Sequence, residues 1–401
     1  MTTMNEVFVA DGVRTPIGRY GGGLSGVRPD DLAATVVRSL VERHPDLEPA
    51  QIDDVWFGDA NAAGEDNRNL ARMAVLLAGL PTSVPGATVN RLCGSGMEAA
   101  LDGSRAIAVG DASVCVVGGT ESMSRAPWVL LKPESAFPRG HETLHSTTLG
   151  WRMVNPRMNP EWTVSLGEGA ELLADKYAIS REAQDRFAAA SHAKAAAAWD
   201  AGEFADEAVG IDGADVGRDE SIRADSTAEK LGRLKPVFRS DGTVTAGNAS
   251  PLNDGAAALL LADQRGLAAT GATPLARIAA RATSGVDPHY YGIGPVSAAN
   301  TALARAGIGW GDVDTVELNE AFAAQSLACL AEWADLDPAL VNPAGGAIAI
   351  GHPLGCSGAR LLVTLAHRLR RSGGRWGLAT MCIGVGQGIA VVLEGDGKGN
   401  A

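Results

Sequence analysis

The feature that most constrains this chain is an internal echo. The apolar run Ile52-Asp53-Asp54-Val55-Trp56-Phe57-Gly58 precedes Cys93-Gly94-Ser95-Gly96-Met97, and Val313-Asp314-Thr315-Val316-Glu317-Leu318-Asn319 precedes Gly355-Cys356-Ser357-Gly358-Ala359. The separations from Ile52 to Ser95 and from Val313 to Ser357 differ by a single residue. Self-similarity of that kind predicts two similar halves. With 401 residues the chain also exceeds the roughly 250–300 residues at which one core stops growing, so size alone predicts more than one.

Each half reads as strands alternating with helices, the pattern of layered α/β architecture. In the first, residues 6–10, 52–58, 85–89 and 113–119 read as strands and residues 30–41 and 69–80 as helices. After residue 272 come a strand over 275–279, an Ala-rich helix over 297–306, and a closing strand, tight turn and strand over 377–394. The first-half counterparts of that closing pair, 113–119 and 255–261, lie far apart. Residues 121–247 therefore read as an excursion inserted at the tip of a strand pair, lying over one mouth of the core. It carries Trp128, Trp151, Trp162 and Trp199, with helical runs over 168–177 and 181–199. Between Arg218 and Arg239 it holds six basic residues against four acidic ones in a chain of formal net charge −13. That basic edge suits a phosphate-bearing substrate; a solvated surface of mixed charge is the competing reading.

The overall acidic balance argues against a nucleic-acid partner. No uninterrupted apolar stretch of about 18 residues exists, and Met1-Thr2-Thr3-Met4-Asn5-Glu6 lacks the basic and apolar regions of a secretory signal. A soluble, cytoplasmic protein without membrane contact is expected. Five scattered cysteines with no C-x-x-C pair predict neither disulfides nor a metal site.

Cys93 stands where a strand hands over to a helix, because Met97, Ala100, Leu101, Ser104 and Ala108 recur at helical spacing and Gly110-Asp111 closes the segment. The unpaired N–H groups and positive dipole of a helix start stabilise a thiolate or an oxyanion. The bland alternative is a small buried hydrophobe beside close-packing glycines. His352 lies in a Gly-rich turn just ahead of the second Ser-Gly helix, where a satisfied structural histidine is also possible. The echo aligns Cys93 with Gly355, three residues after His352, so packing about a pseudo-twofold brings the two face to face. Cys382 enters a second Gly-rich turn, Ile383-Gly384-Val385-Gly386-Gln387-Gly388. A strand rather than a helix follows, which disfavours a dinucleotide loop and leaves exposed N–H groups suited to an oxyanion hole.

Leu92-Cys93-Gly94-Ser95-Gly96-Met97, Gly247-Asn248-Ala249-Ser250, Asn319-Glu320-Ala321-Phe322, Gly351-His352-Pro353-Leu354-Gly355 and Cys382 through Gly388 together resemble the thiolase family, in the family's order and over essentially the whole chain. The resemblance implies duplicated βαβαβαββ halves in a five-layer α-β-α-β-α core. Residues 1–120 with 248–271 would form the N-terminal half and 272–401 the C-terminal half. Residues 121–247 would be an inserted loop domain that receives coenzyme A and makes oligomer contacts in a homodimer or homotetramer.

The implied activity is reversible cleavage of a 3-oxoacyl-CoA by coenzyme A. Cys93 would attack the 3-keto carbonyl after His352 takes its proton, and Cys382 would protonate the departing acetyl-CoA carbanion. His352 with a water on Asn319 would form one oxyanion hole, and the N–H groups of Cys93 and Gly384 the other. Arg223, Ala246, Ser250 and Phe322 would line the coenzyme A channel. Coenzyme A is a co-substrate, and no metal or cofactor is implied.

Arg14-Thr15-Pro16-Ile17-Gly18, residues 63–69 and Thr147-Thr148-Leu149-Gly150-Trp151-Arg152 are similar to β-ketoadipyl-CoA thiolases. The chain departs from that pattern at residues 164–169, where a Met-Pro pair is usual, and at Pro251, where glycine is usual. General 3-ketoacyl-CoA and acetoacetyl-CoA thiolases are therefore alternatives. A non-catalytic acyl-CoA carrier on the same fold would lose a reactive residue, and all are present. Decarboxylating condensing enzymes pair their nucleophile with two histidines, and Cys382 stands where the second would be.

Overall fold

The computed structural model describes residues 4–397. Residues 1–3 and 398–401, and with them the outermost parts of the reading of both termini, lie outside the described residues.

The main elements of the first half are β1 (Phe8–Arg14), α1 (Pro29–Arg43), β2 (Asp54–Gly58), α2 (Leu70–Leu77), β3 (Ala87–Val89), α3 (Ser95–Val109) and β4 (Val114–Ser122). After α4 (Leu166–Lys176) and α5 (Arg181–Asp200) the chain returns as β5 (Asn253–Ala262). The second half contains β6 (Ala276–Gly285), α6 (Gly294–Ala306), β7 (Thr315–Leu318), α7 (Ala323–Glu332), α8 (Leu354–Ser372), β8 (Trp376–Ile383) and β9 (Gln387–Glu394).

The strands run in the order β7-β8-β9-β6-β1-β5-β4-β2-β3. This order reads alike from its middle outward. β1 pairs antiparallel with β5, β5 antiparallel with β4, and β4 parallel with β2. Likewise β6 pairs antiparallel with β9, β9 antiparallel with β8, and β8 parallel with β7. Where β3 pairs parallel with β2, the second half keeps only a parallel bridge from Val316 to Val341. The half-sheets touch where Phe8 meets Arg277 and Val9 meets Ala276.

Strand alternation sorts most of the buried side chains into three large clusters. Val114 and Val116 of β4 face α1 and α2, whereas Cys115 and Val117 face a central layer containing Met97, Leu101, Leu361 and Leu365. A third cluster joins Ala298, Ala302 and Leu303 of α6 to Val316 and Val392. Helices outside, two half-sheets, and α3 with α8 between them make the five-layer α-β-α-β-α core that the resemblance implies. The central cluster is shared by both halves, which the size argument did not foresee.

The middle layer is unusually tight. Every residue of α8 from Gly355 to Ala366 is buried, so this helix shows no solvent stripe. A Cβ on Gly96 would lie 2.6 Å from the Gly355 carbonyl oxygen, and one on Gly358 would lie 2.4 Å from the Met97 nitrogen. The two Ser-Gly segments of the echo are thus where α3 and α8 meet backbone to backbone.

Ser122 pairs with Asp254 at the tip of the β4–β5 pair, and the chain between them leaves the sheet. A buried arginine ties this excursion back to the core. Arg14 donates from Nε to Glu207 (2.6 Å) and from Nη1 and Nη2 to Asp219 (2.7 and 3.1 Å), beneath the rings of Trp199 and Phe204. Stripping one partner from such a buried ion pair costs about 3–5 kcal/mol. Much of the basic edge is compensated locally, since Arg218, Lys230, Arg233 and Arg239 pair with Asp200, Asp225, Glu229 and Glu168. Arg223 forms no ion pair among the described residues. No helix among them is long and apolar enough to cross a membrane.

Candidate active site

Cys93 sits on an elbow. Leu92 has φ of +49°, in the left-handed region that costs a branched residue energy, and Gly94 caps α3 immediately afterwards. The turn carries the thiol out of the β3 direction and leaves it 9% exposed. The backbone N–H groups of Gly384 and of Cys93 itself lie close enough to act on Sγ. Gly384 belongs to the turn joining β8 to β9, where Val385 and Gly386 adopt φ of +65° and +76°. Burial pushes the Cys93 thiol up to about 11, against the downward pull of those two N–H groups. The resting nucleophile is a neutral thiol.

His352 follows Gly351, whose φ of +120° is one that side chains rarely adopt. Its backbone N–H donates to Asn253 Oδ1 at 2.8 Å. Its Nδ1 lies 2.6 Å from Ser357 Oγ, and that hydroxyl donates to the Pro353 carbonyl at 2.8 Å. With the hydroxyl proton committed to the carbonyl, Ser357 accepts from Nδ1–H, which leaves the lone pair on Nε2. Burial lowers the His352 pKa to about 3, with Arg360 adding to the effect, so the imidazole is a neutral acceptor. Asn319 Nδ2 approaches Nε2 at 3.4 Å, and Asn319 Oδ1 is buried without a protein partner.

The loop carrying Asn319 is fixed by Glu320, which accepts from Ser191 (2.6 Å), Asn342 (2.8 Å) and the Ile348 N–H (3.2 Å). Cys382, on β8, is 2% exposed. Burial holds its pKa well above the ordinary thiol range, and the proximity of Cys93 raises it further. Tyr291 packs beside both cysteines and donates to the Leu166 carbonyl at 2.9 Å.

One cavity of about 380 Å³ is walled by Cys93, His352 and Cys382 together with Ser250 and Phe322. Phe322 meets Phe238 edge-on, with ring centres 6.3 Å apart. Pro251 and Leu252 continue the wall into an outer cavity of about 500 Å³ that contains Arg223 and Ala246. Cys93 also borders a further cavity of about 380 Å³ that takes in Gly384. The residues singled out from sequence thus line connected cavities, and Asn319 stands behind them through its contact with His352. Leu166 and Pro251, from the two departing segments, are both wall residues.

Sequence reading missed Ser357, Tyr291 and Glu320. Ser357 had a readable signal, since it stands at the echoed helix start just beyond His352. Tyr291 and Glu320 are brought in by long-range packing that local pattern does not announce.

A duplicated α/β fold that presents two thiols and an imidazole to one cavity suits covalent catalysis through a cysteine nucleophile. The family model described as "Thiolase, N-terminal domain" matches residues 7–265, and "Thiolase, C-terminal domain" matches residues 272–395. The chain belongs to the thiolase family. It is 54% identical over 399 residues to the β-ketoadipyl-CoA thiolase of Pseudomonas putida, covering 98% of this chain and 100% of that protein. It is also 54% identical over 400 residues to the 3-oxoadipyl-CoA/3-oxo-5,6-dehydrosuberyl-CoA thiolase of Escherichia coli (strain K12), with the same coverage. Human mitochondrial 3-ketoacyl-CoA thiolase in complex with CoA superposes with a TM-score of 0.91 at 40% identity, covering 98% of this chain and 100% of that one.

Proposed function

We propose that the chain cleaves 3-oxoadipyl-CoA with coenzyme A, forming acetyl-CoA and the four-carbon acyl-CoA that ends in a carboxylate. His352 Nε2 takes the Cys93 proton, and the thiolate attacks the 3-keto carbon. The C2–C3 bond breaks, the acyl group stays on Cys93, and the electron pair leaves as the acetyl-CoA enolate. Cys382 protonates that enolate. A coenzyme A thiol, deprotonated with help from His352, then displaces the acyl group from Cys93.

The observation that carries this reading is that His352, with Nδ1 2.6 Å from the Ser357 hydroxyl, shares a cavity with both thiols. Both thiols are neutral at rest, so no charge is stranded before substrate arrives. In this reading the charge that then develops on oxygen is met by the N–H groups of Cys93 and Gly384 on one side, and on the other by protonated His352 with a water on Asn319. Relatives at 54% identity whose names specify adipyl substrates support the acyl group.

In this reading Arg223, Ala246, Ser250 and Phe322 line the coenzyme A path, with Arg223 at its mouth. Residues 121–247 act as the loop domain inserted between an N-terminal half (1–120 and 248–271) and a C-terminal half (272–401). A cytoplasmic homodimer or homotetramer, with no metal or bound cofactor, completes the proposal. Cys93→Ala is expected to abolish thiolysis of acetoacetyl-CoA and 3-oxoadipyl-CoA. Turnover at the parental rate in that variant would overturn the assignment.

A further inference from the structure

Two adjoining cavities meet at Cys93. The one with His352 and Cys382 leads past Pro251 and Leu252 toward Arg223, the path assigned above to coenzyme A. The other is a cavity of about 380 Å³ whose wall includes Gly384, Asn61, Thr147 and Arg152. The second cavity offers room for an acyl group on Cys93 when coenzyme A fills the first.

Arg152 is held there in a defined way. Thr147 Oγ1 donates to the Pro127 carbonyl at 2.6 Å and accepts from Asn61 Nδ2 at 2.9 Å. The Asn61 amide is thereby turned so that its Oδ1 accepts from Arg152 Nη2 at 3.2 Å. Arg152 forms no ion pair among the described residues, so most of its five N–H donors have no anionic partner within the chain. A half-buried guanidinium tethered by one neutral bond, in a cavity that begins at the nucleophile, matches a planar carboxylate. The acidic residue on the same wall, Glu121, does not oppose this. Its Oε2 accepts the N–H groups of Ala60 (3.0 Å) and Gly355 (2.9 Å), and burial raises its pKa.

We propose that Arg152, positioned by Asn61, binds the carboxylate at the far end of the acyl chain and so selects 3-oxoacyl-CoA esters of dicarboxylic acids. The inference rests on the reading that Cys93 carries the acyl group and that coenzyme A enters past Arg223.

The test compares 3-oxoadipyl-CoA with 3-oxohexanoyl-CoA, which has the same chain length and lacks only the terminal carboxylate. The ratio of the two kcat/KM values is measured for the parental chain, Arg152→Gln, Arg152→Lys and Asn61→Ala. A ratio within one preparation is insensitive to the fraction of protein folded. The parental chain is expected to favour the diacid. Arg152→Gln is expected to lower the ratio by about 10- to 150-fold, equivalent to the ~1.5–3 kcal/mol of a hydrogen bond to a charged group. Arg152→Lys should recover part of that loss, and Asn61→Ala should give a smaller loss. A parental preference for the diacid that survives unchanged in Arg152→Gln overturns the role of Arg152 and leaves the substrate reading standing. A parental chain with no preference overturns the substrate reading, and the inference with it.

Discussion

The two halves of this molecule share strand order, pairing directions and a buried Ser-Gly helix start, yet they carry different chemistry at matching places. The first half puts Cys93 on its elbow. The second has Gly355 there, and a Cβ at Gly355 would lie 2.2 Å from the Thr120 carbonyl oxygen and 2.9 Å from Asp59 Cα. A second nucleophile therefore has no room. The second half instead places His352 just ahead of its helix and Cys382 with Gly384 in its closing hairpin. The matching hairpin of the first half is opened at Ser122 and Asp254 by the excursion that carries the outer cavity. Duplication supplied the scaffold twice, and the tight packing of the middle layer confines the chemistry to one site built from both copies.

The sharpest way to break this comparison is to restore the symmetry. Gly355→Cys is expected to prevent folding or to lower stability by more than the ~1–3 kcal/mol usual for overpacking, because the obstructing atoms are backbone. Urea unfolding of the variant checks it, and a stable protein with a second reactive thiol would refute the steric account.

A smaller effect separates scaffold from chemistry on α8. Ser357→Ala removes the acceptor that fixes the His352 tautomer, and a loss of about 10- to 100-fold in kcat is expected, on the order of 1–3 kcal/mol for a buried polar group left unpaired. The pH profile of kcat should change with it, whereas a purely structural role would lower stability and leave the profile's shape alone.

The mildest prediction contrasts the halves by pH. His352 has a folded pKa lowered by burial to about 3, so the unfolded chain binds its proton more readily. Its contribution to stability is present above the unfolded value near 6.5 and is lost as pH falls toward 3. Asp59 of the first half is raised by burial and by Glu121 and Asp66, so its contribution is lost as pH rises from its unfolded value near 4. Urea midpoints across pH should lose their acid-side slope in His352→Asn and their alkaline-side slope in Asp59→Asn. Slopes that stay the same would contradict these assignments.

Much of the architecture is legible in the sequence, because strand and helix periods survive wherever an element faces one layer. The echo at Ile52 and Val313 and the return strand at 255–261 announce the duplication and the excursion. What fails to show is degenerate pairing: the counterpart of β3 is a single bridge at Val341, too little to leave a period. In the site, Cys93, His352 and Cys382 stand out because reactive side chains between glycines are rare. Ser357 is visible in the echo, but nothing in a serine at a helix start announces its contact with His352. Tyr291 is hidden because folding, not proximity in the chain, brings it to Cys93; Arg152 closes the Thr147–Arg152 segment noted in the sequence, but its contact with Asn61 is made only by folding.

The most direct test of the central claim is to incubate the chain and its Cys382→Ala variant with the carboxylate-terminated acyl-CoA product, quench, and locate the adduct by peptide mass. Thioester formation needs no proton transfer at carbon. The four-carbon acyl group is therefore expected on the Cys93 peptide in both proteins, while only the parental chain cleaves or forms the carbon–carbon bond. An adduct on Cys382, or acyl transfer without any adduct on Cys93, would contradict the account.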